Sequence, residues 1–572
     1  MPKTAPPAAP HLAHWPGALP WHLTQPETNV YVNAEVSALR YPDKPFIVFY
    51  DSTITFARFR DECERLAGFL QQRCGVLSGD RVLLYMQNSP QWAIAFYAIL
   101  RANAVVVPVN PMNRTDELRH YVRDSGARVA FVPQDLAAQM LPLVAETPDD
   151  ANEDHASPGL RHLVVATYRD YLTEPTELRV PEFVAAPRAA IESPAAIAWH
   201  DALAADLHAG PLTQGPDDLC VMPYTSGTTG HPKGCMHTHR SLMSTLVGGV
   251  HWFQRTQDSV FLSVLPFFHV TGLVGSFHGP LYAGATIVVL PRWDRDTAAQ
   301  CMQRYRVNTW QAITTMVVDF LSNPRLADYD LSSLRVVRGG GAAMPEAVAH
   351  QLHALTGQHY VEGYGMSETM GATHINPMHR PKPQCLGIPV FDVDARVVDP
   401  ETLREVAPGE TGEVIVHGPQ VMQGYWNEPE ATRDAFIELD GKRFLRTGDL
   451  AQVDEDGYFF MVDRLKRMIN ASGFKVWPAE VEALMYRHPA ILEACVIGTH
   501  DPKRGETVKA YVVLRDGWRG KVREAEIVDW AHAHMAAYKS PRIVEFVDAL
   551  PKSGSGKVMW RELQERENTK AR

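Results

Sequence analysis

The chain has 572 residues, of which 45% are hydrophobic and 21% charged, and its formal net charge is −11 at pH 7. This near-average composition excludes a disordered, collagen-like or fibrous protein, and the acidic balance gives no general attraction to nucleic acid. The seven cysteines form no CxxC pair. They indicate reduced thiols in a cytoplasmic protein rather than a disulfide framework or a zinc site.

The N-terminal residues carry prolines where a secretory signal would need an unbroken apolar stretch, so we expect residues 1–25 to form a loose arm. Farther along, residues 259–291 contain no Asp, Glu, Lys or Arg. Because Pro266, Gly272 and Pro280 interrupt this segment, it is predicted to be two buried strands joined by a loop and the start of a helix, not a transmembrane helix.

Short apolar runs alternate with helical patterns over the first 460 residues. The strand-like runs lie at 81–86, 104–110, 129–133, 162–167, 285–290 and 334–340, and the helical patterns include 56–75 and 296–307. This alternation predicts an α/β domain over residues 26–464, with stacked, mostly parallel sheets covered by helices. Residues 145–218, rich in Ala, Pro, Glu and Asp, are predicted to be partly irregular.

A second, smaller α+β domain is predicted over residues 465–572. Pro478 stands where the first turn of a helix tolerates proline, with Val481 and Met485 on one face. Two strand-like runs, 492–498 and 509–516, follow this helix, and a further helix is expected from about 522 to 537.

The string YTSGTTGHPKG, residues 224–234, is the strongest chemical signal. It places five hydroxyl side chains and three glycines around a lysine. Glycines let backbone amides approach an anion, hydroxyls donate to phosphate oxygens, and Lys233 adds a positive charge. The spacing is not that of a Walker A loop, because Pro232 precedes the lysine. The string predicts a phosphate-binding loop, with a polar surface loop as the plain alternative.

Further strings follow this loop: LPFFHVTGL (265–273), GGGAAMP (339–345), EGYGMSETM (362–370), GETGEV (409–414), RTGDL (446–450), DRLKRMINASGFKV (463–476) and PKSGSGKVMWREL (551–563). In kind and order the set resembles the adenylate-forming superfamily, over residues 25–565, and is most similar to its fatty acid–CoA ligases. The resemblance implies a large domain with a β-barrel-like subdomain and a small C-terminal domain on a hinge. It also implies ATP, Mg²⁺ and coenzyme A as cofactors: a carboxylate attacks ATP to give acyl-AMP and pyrophosphate, and a thiol then displaces AMP.

The resemblance assigns catalytic roles to three residues. Lys557 would bridge the carboxylate and the α-phosphate, Glu368 would hold Mg²⁺, and His269 would lie between the carboxylate site and the thiol tunnel. The plain alternatives are a solvated lysine, a capped turn before a helix and a core histidine. His237 and His239, just after the phosphate loop, are better explained by helix-face or capping roles than by a metal site.

A larger set would contact ATP or AMP, with Tyr364 stacked on adenine and Asp449 accepting from the ribose hydroxyls. The set is Thr225, Ser226, Gly227, Thr228, Thr229, Gly230, Lys233, Gly341, Ala342, Glu362, Gly363, Tyr364, Gly365, Met366, Ser367, Asp449 and Arg464. Lys466 matches the hinge. Ser472 and Gly473 would line the pantetheine tunnel, while Lys503 and Arg504 would bind the coenzyme A phosphates or be simply solvated.

The acyl pocket is expected at Val270, Gly275, Thr315, Gly339, Gly340, Met370 and His374. Its glycines would leave space for an apolar chain or an aromatic acid, whereas Thr315 and His374 would offer polar contacts to a hydroxylated or short branched acid. Asp319 keeps an amino-acid-activating domain as an alternative.

The main hypothesis is an AMP-forming acyl-CoA ligase for a medium- or long-chain fatty acid. The alternatives are a ligase for a short branched, 2-hydroxylated or aromatic acid, an acyl-AMP ligase that does not use coenzyme A, and a non-catalytic nucleotide-binding protein. We expect no nucleic-acid partner and no transmembrane segment, and a homodimer is possible.

Overall fold

The computed structural model describes residues 9–144, 159–225, 232–341, 343–471, 474–501, 505–552 and 558–570. The chain packs as two compact units. Residues 1–394 with 416–445 form the first unit, and residues 395–415 with 446–572 form the second. The domain boundary predicted at residue 464 stays a prediction.

The strands are β1 Pro45–Phe49, β2 Ser52–Thr55, β3 Arg81–Leu84, β4 Val105–Pro108, β5 Val129–Pro133, β6 His162–Ala166, β7 Ala196–Ala198, β8 Leu219–Val221, β9 Tyr224–Thr225, β10 Lys233–Gly234, β11 His237–Thr238, β12 Val260–Ser263, β13 Thr286–Val289, β14 Thr309–Gln311, β15 Val336–Gly340, β16 Tyr360–Met366, β17 Gly371–Ile375, β18 Ile388–Pro389, β19 Asp394–Val398, β20 Gly412–His417, β21 Phe436–Leu439, β22 Lys442–Val453, β23 Phe459–Arg464, β24 Ile469–Ala471, β25 Phe474–Val476, β26 Ile491–Asp501, β27 Gly505–Leu514 and β28 Ile543–Phe546.

The α-helices are α1 Val32–Arg40, α2 Phe56–Gln72, α3 Pro90–Arg101, α4 Thr115–Ser125, α5 Ala137–Met140, α6 Glu182–Ala185, α7 Trp199–Ala204, α8 His239–Trp252, α9 Val270–Gly272, α10 Gly279–Ala283, α11 Arg295–Arg304, α12 Thr314–Leu321, α13 Glu346–Thr356, α14 Pro429–Ala435, α15 Pro478–Met485, α16 Glu524–His534 and α17 Trp560–Lys570. A π-helical turn, Leu273–His278, joins α9 to α10.

Two large sheets form the first unit. The nine-stranded sheet has the order β18-β17-β16-β15-β14-β12-β13-β1-β2, and the seven-stranded sheet has the order β11-β8-β4-β3-β5-β6-β7. The neighbours from β16 through β1 are parallel, as are those from β8 through β7. The predicted α/β fold with mostly parallel sheets is thereby confirmed.

Burial explains why these strands read as continuous apolar runs. Parallel sheets are covered on both faces, so consecutive side chains of β4 and β5 are all buried. Helix α3 is buried from Pro90 to Leu100. Its start is set by Ser89, whose hydroxyl accepts from the backbone N–H of Trp92 at 3.1 Å, and by Pro90 in the first turn.

The second unit contains two β-structures. Strands β19, β20 and β22 follow one another in a sheet, with β23 beside β22, in the region where the resemblance implies a barrel-like subdomain. The last hundred residues form the order β25-β24-β27-β26, with β28 beside β27, together with helices α15, α16 and α17. This arrangement is the predicted small α+β fold.

The N-terminal arm differs from its prediction. Residues 10–14 form a 3₁₀ turn, and the following Trp15 is only 8% exposed. Its ring makes edge contacts with Trp252 at 5.0 Å and with Phe391 at 5.2 Å between centroids. The expectation of a loose arm is therefore wrong around Trp15, because one large aromatic side chain anchors a segment of otherwise poorly packing prolines and alanines.

The cysteines are almost all internal. Six of the seven are buried and Cys74 is partly exposed. Burial raises the pKa of Cys74 and Cys301 to about 12, and it also raises the pKa of Cys63, Cys220 and Cys235.

Candidate active site

Four neighbouring parallel strands end at one edge of the nine-stranded sheet, and predicted site residues follow their ends. β12 leads to His269 and β14 to Thr315, while β15 ends in Gly339 and Gly340. β16 lies beside β15, with Glu362 opposite Gly339. The crevice at the carboxyl ends of parallel strands is the usual ligand site of an open α/β sheet. The structure therefore brings the predicted acyl and adenine segments to one edge.

The strands β9 and β10, which flank the predicted phosphate loop in the sequence, form an antiparallel pair that we call the phosphate hairpin. Thr225 pairs with Lys233, and Tyr224 pairs with Gly234, across β9 and β10. Ser226, Gly227, Thr228, Thr229 and Gly230 lie outside the described residues. The hairpin fixes both ends of the loop, and phosphate binding by the loop stays a prediction.

Lys233 and Glu368 meet at one tyrosine. Tyr425 donates from Oη to Oε1 of Glu368 over 2.9 Å, and Nζ of Lys233 lies 5.4 Å from the centre of its ring. Glu368 is only 6% exposed, so this donor stabilises a carboxylate in a place where burial disfavours charge. Burial, reinforced by Glu368, raises the pKa of Tyr425 and keeps its hydroxyl protonated.

Backbone hydrogen bonds hold the Tyr425 segment against both partners. Met422 donates its N–H to the carbonyl of Glu368, and Trp426 donates to the carbonyl of Gly234, each over 2.8 Å. The sequence analysis missed Tyr425. Its only signal is a Gly-Tyr pair in a loop between β20 and α14, which predicts no chemistry by itself.

His237 positions the turn that carries Glu368. Its Nε2 donates to the carbonyl of Ser367 over 2.7 Å, and its Nδ1 lies 3.3 Å from the hydroxyl of Ser241. Burial lowers its pKa to about 4, so the ring is neutral and the bond to a carbonyl requires the proton on Nε2.

The alternative of a metal site at the two histidines is not supported. His239 accepts from the N–H of Val30 at Nδ1 over 3.1 Å, and its Nε2 lies 3.3 Å from Oε1 of Gln214. Across the described ranges no group of three His, Cys, Asp or Glu side chains is arranged to hold a metal. A single carboxylate such as Glu368 still suits Mg²⁺, which usually takes one or two protein carboxylates and completes its shell with water and phosphate oxygens.

The adenine candidates lie on β16 and in the loop after β15. Tyr364 is 8% exposed, and its ring centroid lies 5.7 Å from that of His374. A Cβ at Gly365 would lie 1.7 Å from the carbonyl of Gly371, so glycine is required there for the close approach of two backbones. Gly341 has φ +86°, which also favours glycine. Ala342 lies outside the described residues.

The turn after β16 has a local explanation. The hydroxyl of Thr369 accepts from the N–H of Met366 at 3.0 Å and caps the short turn that contains Ser367 and Glu368. Nucleotide contacts by Gly363, Met366 and Ser367 stay predictions.

Glu362 supports the loop after β15. Its Oε1 accepts from the backbone N–H of Met344 over 2.8 Å, and it is 7% exposed. Burial raises its pKa to about 7, although backbone donors at Met344, Cys385 and Gln384 oppose the rise. The observed role of Glu362 is to hold this loop, and a direct contact with nucleotide stays a prediction.

In the second unit, Asp449 and Arg464 face each other. They are opposite residues of β22 and β23, and Nε of Arg464 lies 3.1 Å from Oδ1 of Asp449. The Asp449 side chain is 4% exposed, whereas that of Arg464 is 54% exposed. The two predicted nucleotide residues are thus brought together, with a carboxylate that can accept from ribose hydroxyls while the arginine balances its charge.

The predicted hinge is flanked by a buried ion-pair network. Arg467 forms ion pairs with Asp463 at 3.7 Å and with Glu482. Asp463 also accepts from the N–H of Ala479 over 2.6 Å. The residues that make these contacts precede and follow Lys466 in the sequence, and the backbone of Lys466 belongs to the turn Leu465–Arg467. The predicted residues Ser472, Gly473, Lys503, Arg504 and Lys557 lie outside the described residues.

The glycines predicted to leave room for the acyl chain have other reasons to be glycine. A Cβ at Gly275 would lie 2.0 Å from Oε1 of Gln311, one at Gly339 would lie 1.8 Å from the carbonyl of Ala312, and one at Gly340 would lie 2.2 Å from the carbonyl of Gly363. Close packing of protein atoms occupies these positions. Close packing within the protein therefore explains why these three positions are glycine, and their place in the acyl pocket stays a prediction.

The other acyl-pocket candidates differ in burial. Val270, Met370 and His374 are buried, whereas Thr315 is exposed. Nδ1 of His374 lies 3.0 Å from the hydroxyl of Thr373, and burial lowers the pKa of His374 to about 3. His374 is therefore a neutral hydrogen-bonding group, and its contact with substrate stays a prediction.

Asp319 has partners that explain it without an α-amine. Its Oδ2 accepts from Nε1 of Trp293 over 2.7 Å, and its Oδ1 lies 3.3 Å from Arg295. These contacts weaken the amino-acid-activating alternative.

His269 caps the helix that follows it. Nδ1 accepts from the N–H of Thr271 over 3.3 Å, and the side chain is partly exposed. The carbonyl of Thr271 accepts from Nε2 of Gln311 over 3.1 Å. The catalytic role of His269 stays a prediction.

The sequence matches known families and proteins over nearly its whole length. The family model described as AMP-binding enzyme matches residues 34–426, and that of the AMP-binding enzyme C-terminal domain matches residues 480–557. A long-chain-fatty-acid–CoA ligase of Bacillus subtilis is 34% identical and is covered to 98%, as is this chain. A feruloyl-CoA synthase of Amycolatopsis is 35% identical, over 90% of this chain and 94% of its own.

Solved structures give the same picture of the fold. ATP-bound MatB from Rhodopseudomonas palustris superposes with a TM-score of 0.81 at 28% identity, over 95% of this chain and 99% of its own. Within the part of the chain that the structure describes, no helix combines the length and apolarity needed to span a bilayer.

Proposed function

The chain belongs to the AMP-binding enzyme family, and from that membership we propose that its sheet-edge site activates a fatty acid. The protein is an AMP-forming acyl-CoA ligase that uses ATP, Mg²⁺ and coenzyme A. The observation that carries the site assignment is the Lys233–Tyr425–Glu368 contact, because it joins the phosphate hairpin to the magnesium candidate.

The first half-reaction joins two anions, so the protein must offset negative charge and align the reactants. Lys233 supplies positive charge at one end of the phosphate hairpin, and Lys557 would add a second charge between the carboxylate and the α-phosphate. Glu368 would hold Mg²⁺, and the bound ion would supply Lewis-acid neutralisation of the phosphate oxygens. Tyr425 and His237 orient Glu368, one through its carboxylate and the other through the backbone of Ser367.

The nucleoside is assigned an aromatic residue for its base and a carboxylate for its ribose. Tyr364 supplies an aromatic face for adenine, and the loop supported by Glu362 borders it. Asp449 accepts from the ribose hydroxyls, with Arg464 balancing its charge. The role of Tyr364 requires an aromatic ring face, and the role of Asp449 requires a hydrogen-bond acceptor.

The second half-reaction transfers the acyl group from AMP to the thiol of coenzyme A. Lys466 is the proposed hinge, and the buried Asp463–Arg467–Glu482 network supplies rigid attachment points beside it. Ser472 and Gly473 would line the pantetheine path, and Lys503 and Arg504 would meet the coenzyme A phosphates.

The acid is proposed to be a medium- or long-chain fatty acid, since relatives at 32–34% identity are named long-chain-fatty-acid–CoA ligases. An aromatic acid is the second candidate, and the similarity to a feruloyl-CoA synthase at 35% identity favours it. A cytoplasmic location and a homodimer remain predictions, which cell fractionation and analytical ultracentrifugation test.

The test is pyrophosphate release with ATP and Mg²⁺ over a panel of fatty, branched, hydroxylated and aromatic acids, with and without coenzyme A. We expect sustained release with fatty acids only when coenzyme A is present. The Lys557→Ala variant should lose adenylation, whereas the control Lys552→Ala, whose lysine pairs with Glu493, should retain it. Sustained release that ignores coenzyme A would assign the protein to acyl-AMP formation instead, and release only with aromatic acids would favour the second candidate.

A further inference from the structure

Two arginines are buried beside the predicted acyl segments, and neither has an acidic partner in the part of the chain that the structure describes. Arg255 and Arg338 are each 8% exposed. Three of their guanidinium nitrogens are buried with no hydrogen-bond partner among the described residues. A buried charge without a counter-charge is costly, so this pair requires an explanation.

Part of the explanation is the π-helical turn Leu273–His278. In this turn the N–H of Gly279 donates to the carbonyl five residues earlier, that of Val274. The carbonyl of Gly275 would need the next donor, but that position is Pro280, which has no N–H. Nη1 of Arg255 and Nη2 of Arg338 donate to the Gly275 carbonyl instead, each over 3.1 Å.

One carbonyl does not satisfy two guanidinium groups. Nη2 of Arg338 also donates to Oε1 of Gln311 over 2.8 Å. Nε and Nη2 of Arg255 and Nε of Arg338 are buried, and no described residue offers them a hydrogen-bond acceptor. Both guanidinium groups also lie over the ring of Phe253, at 5.3 Å and 4.3 Å, where a ring face offsets only part of a charge.

The positive charges of the two arginines also repel each other. Burial lowers the pKa of Arg338 to about 9, and burial together with Arg338 lowers the pKa of Arg255. An anion placed against the pair would reverse both effects, since an opposite charge favours the charged form of each group.

The pair is connected to the reacting end of the site. Gln311 accepts from Arg338 and donates to the carbonyl of Thr271, two residues after His269. From His269 to Gly275 the chain advances six helical positions, no more than about 9 Å along the axis at helical rise. Arg338 itself immediately precedes Gly339, at the carboxyl end of β15.

We propose that Arg338, reinforced by Arg255, binds a second carboxylate at the far end of the acid, so that the substrate is an aliphatic α,ω-dicarboxylic acid. This inference rests on the proposed function and narrows its fatty acid to one with two carboxylates. The reacting carboxylate lies near His269, and the distal carboxylate receives charge-assisted hydrogen bonds from the guanidinium groups. Because the pair is buried, an alkyl end in its place would leave these donors unpaired.

The test compares matched pairs of acids on the wild-type enzyme: adipate with hexanoate, suberate with octanoate, and sebacate with decanoate. We expect kcat/KM for thioester formation to favour a diacid over its matched monoacid by at least about tenfold, since a site that hydrogen-bonds a polar group discriminates strongly against its absence. Binding is measured separately, as the shift in thermal unfolding caused by each acid in the absence of ATP.

Variants then assign the preference to Arg338. Arg338→Gln should lower kcat/KM for the preferred diacid by about a hundredfold, because it removes one partner of a buried charge pair, and should bring the ratio of diacid to monoacid kcat/KM close to one. Arg338→Lys should retain part of the preference, since it keeps the charge but loses the planar fork. Arg335→Gln, an exposed arginine on the approach to the same strand, is the control and should leave the ratio unchanged.

Wild-type turnover of monoacids that equals or exceeds turnover of the diacids would overturn the inference and leave the ligase assignment intact. A diacid preference that survives Arg338→Gln in folded protein would also overturn it. Absence of pyrophosphate release with every acid would instead reject the proposed function itself, so the two failures are distinguishable.

Discussion

Tyr425 donates its hydroxyl proton to Glu368 over 2.9 Å, while its ring lies 5.4 Å from the ammonium nitrogen of Lys233. One side chain therefore touches the groups proposed to hold the metal and the phosphates. A metal-binding carboxylate is commonly oriented by such a hydrogen bond, and loss of the orienting group typically weakens metal binding.

Removing this hydroxyl should impair adenylation without unfolding the protein. In Tyr425→Phe the ring over Lys233 remains, but Glu368 loses a buried donor. We expect the Mg²⁺ concentration needed for half-maximal pyrophosphate release to rise about tenfold, because hydrogen bonds to charged groups contribute roughly 1.5–3 kcal/mol. Tyr329→Phe is the matched control, since the buried hydroxyl of Tyr329 has no partner among the described residues. An unchanged Mg²⁺ requirement would refute the orienting role.

Asp449 should act on ATP affinity more than on turnover. Asp449→Asn keeps the shape of the side chain but weakens acceptance from ribose and leaves Arg464 without its counter-charge. We predict a rise of about tenfold in KM for ATP, with a smaller change in KM for the acid. Steady-state kinetics with each substrate varied in turn measures both, and Glu455→Gln, at an exposed site in the turn before β23, is the control. A fall in kcat alone would argue against a ribose contact.

Glu362 should make the enzyme less stable at alkaline pH. Its pKa is raised to about 7 from an ordinary value of 4.5, so the folded state keeps a proton that the unfolded chain has lost. The stabilising contribution of this group is complete below pH 4.5 and is lost as the pH rises through 7.

Glu362→Gln, which stays neutral, should therefore gain about 2 kcal/mol in unfolding free energy relative to wild type between pH 5 and pH 8. Denaturant unfolding of both proteins at the two pH values measures the difference. A constant difference would mean that Glu362 does not titrate in this range.

Four buried histidines should make the protein less stable at acidic pH. Burial lowers the pKa of His237 to about 4 and that of His239, His278 and His374 to about 3, from ordinary values near 6.5. Above pH 6.5 both states are neutral. As the pH falls below 6.5, these histidines become protonated in the unfolded chain but stay neutral in the folded protein. The free energy of unfolding therefore declines until the pH reaches the pKa of the histidine in the folded state.

We expect a loss of about 1 kcal/mol for each of these histidines by pH 5.5. His237→Asn should show a shallower decline of the unfolding temperature between pH 7 and pH 5.5 than wild type. An equally steep decline in the variant would show that His237 does not contribute.

The sequence predicts the α/β architecture well because burial on both faces forces continuous β-branched runs, as in β4 and β5. Element ends are predicted less well. The second helix stops at Gln72 rather than Gly75, and β15 starts at Val336 rather than residue 334. The helix ends in a local turn, where Gly75 has φ +67° and the N–H of Val76 donates to the carbonyl of Leu70, whereas the start of β15 is set by its pairing with β14.

The sequence predicts site residues that lie within a recognisable motif, as Lys233 and Glu368 do. Site residues were missed where the role depends on distant neighbours. Tyr425 is 57 residues from Glu368 in sequence, and the residues around Tyr425 form no motif that predicts their hydrogen bond. The packing role of the acyl-pocket glycines was missed for the same reason: the backbone of Ala312 and the side chain of Gln311, which a Cβ at Gly339 or Gly275 would meet, belong to another strand and its end.

The interior placement of the cysteines has a practical consequence. Thiol reagents act on the thiolate. Six of the seven thiols are buried, and burial raises the pKa of Cys301 and Cys495 to about 12. Coenzyme A carries an accessible thiol that disappears as thioester forms. A chromogenic thiol dye therefore reports the consumption of coenzyme A against a low protein background, with Cys74 as the side chain to replace first where that background needs to fall further.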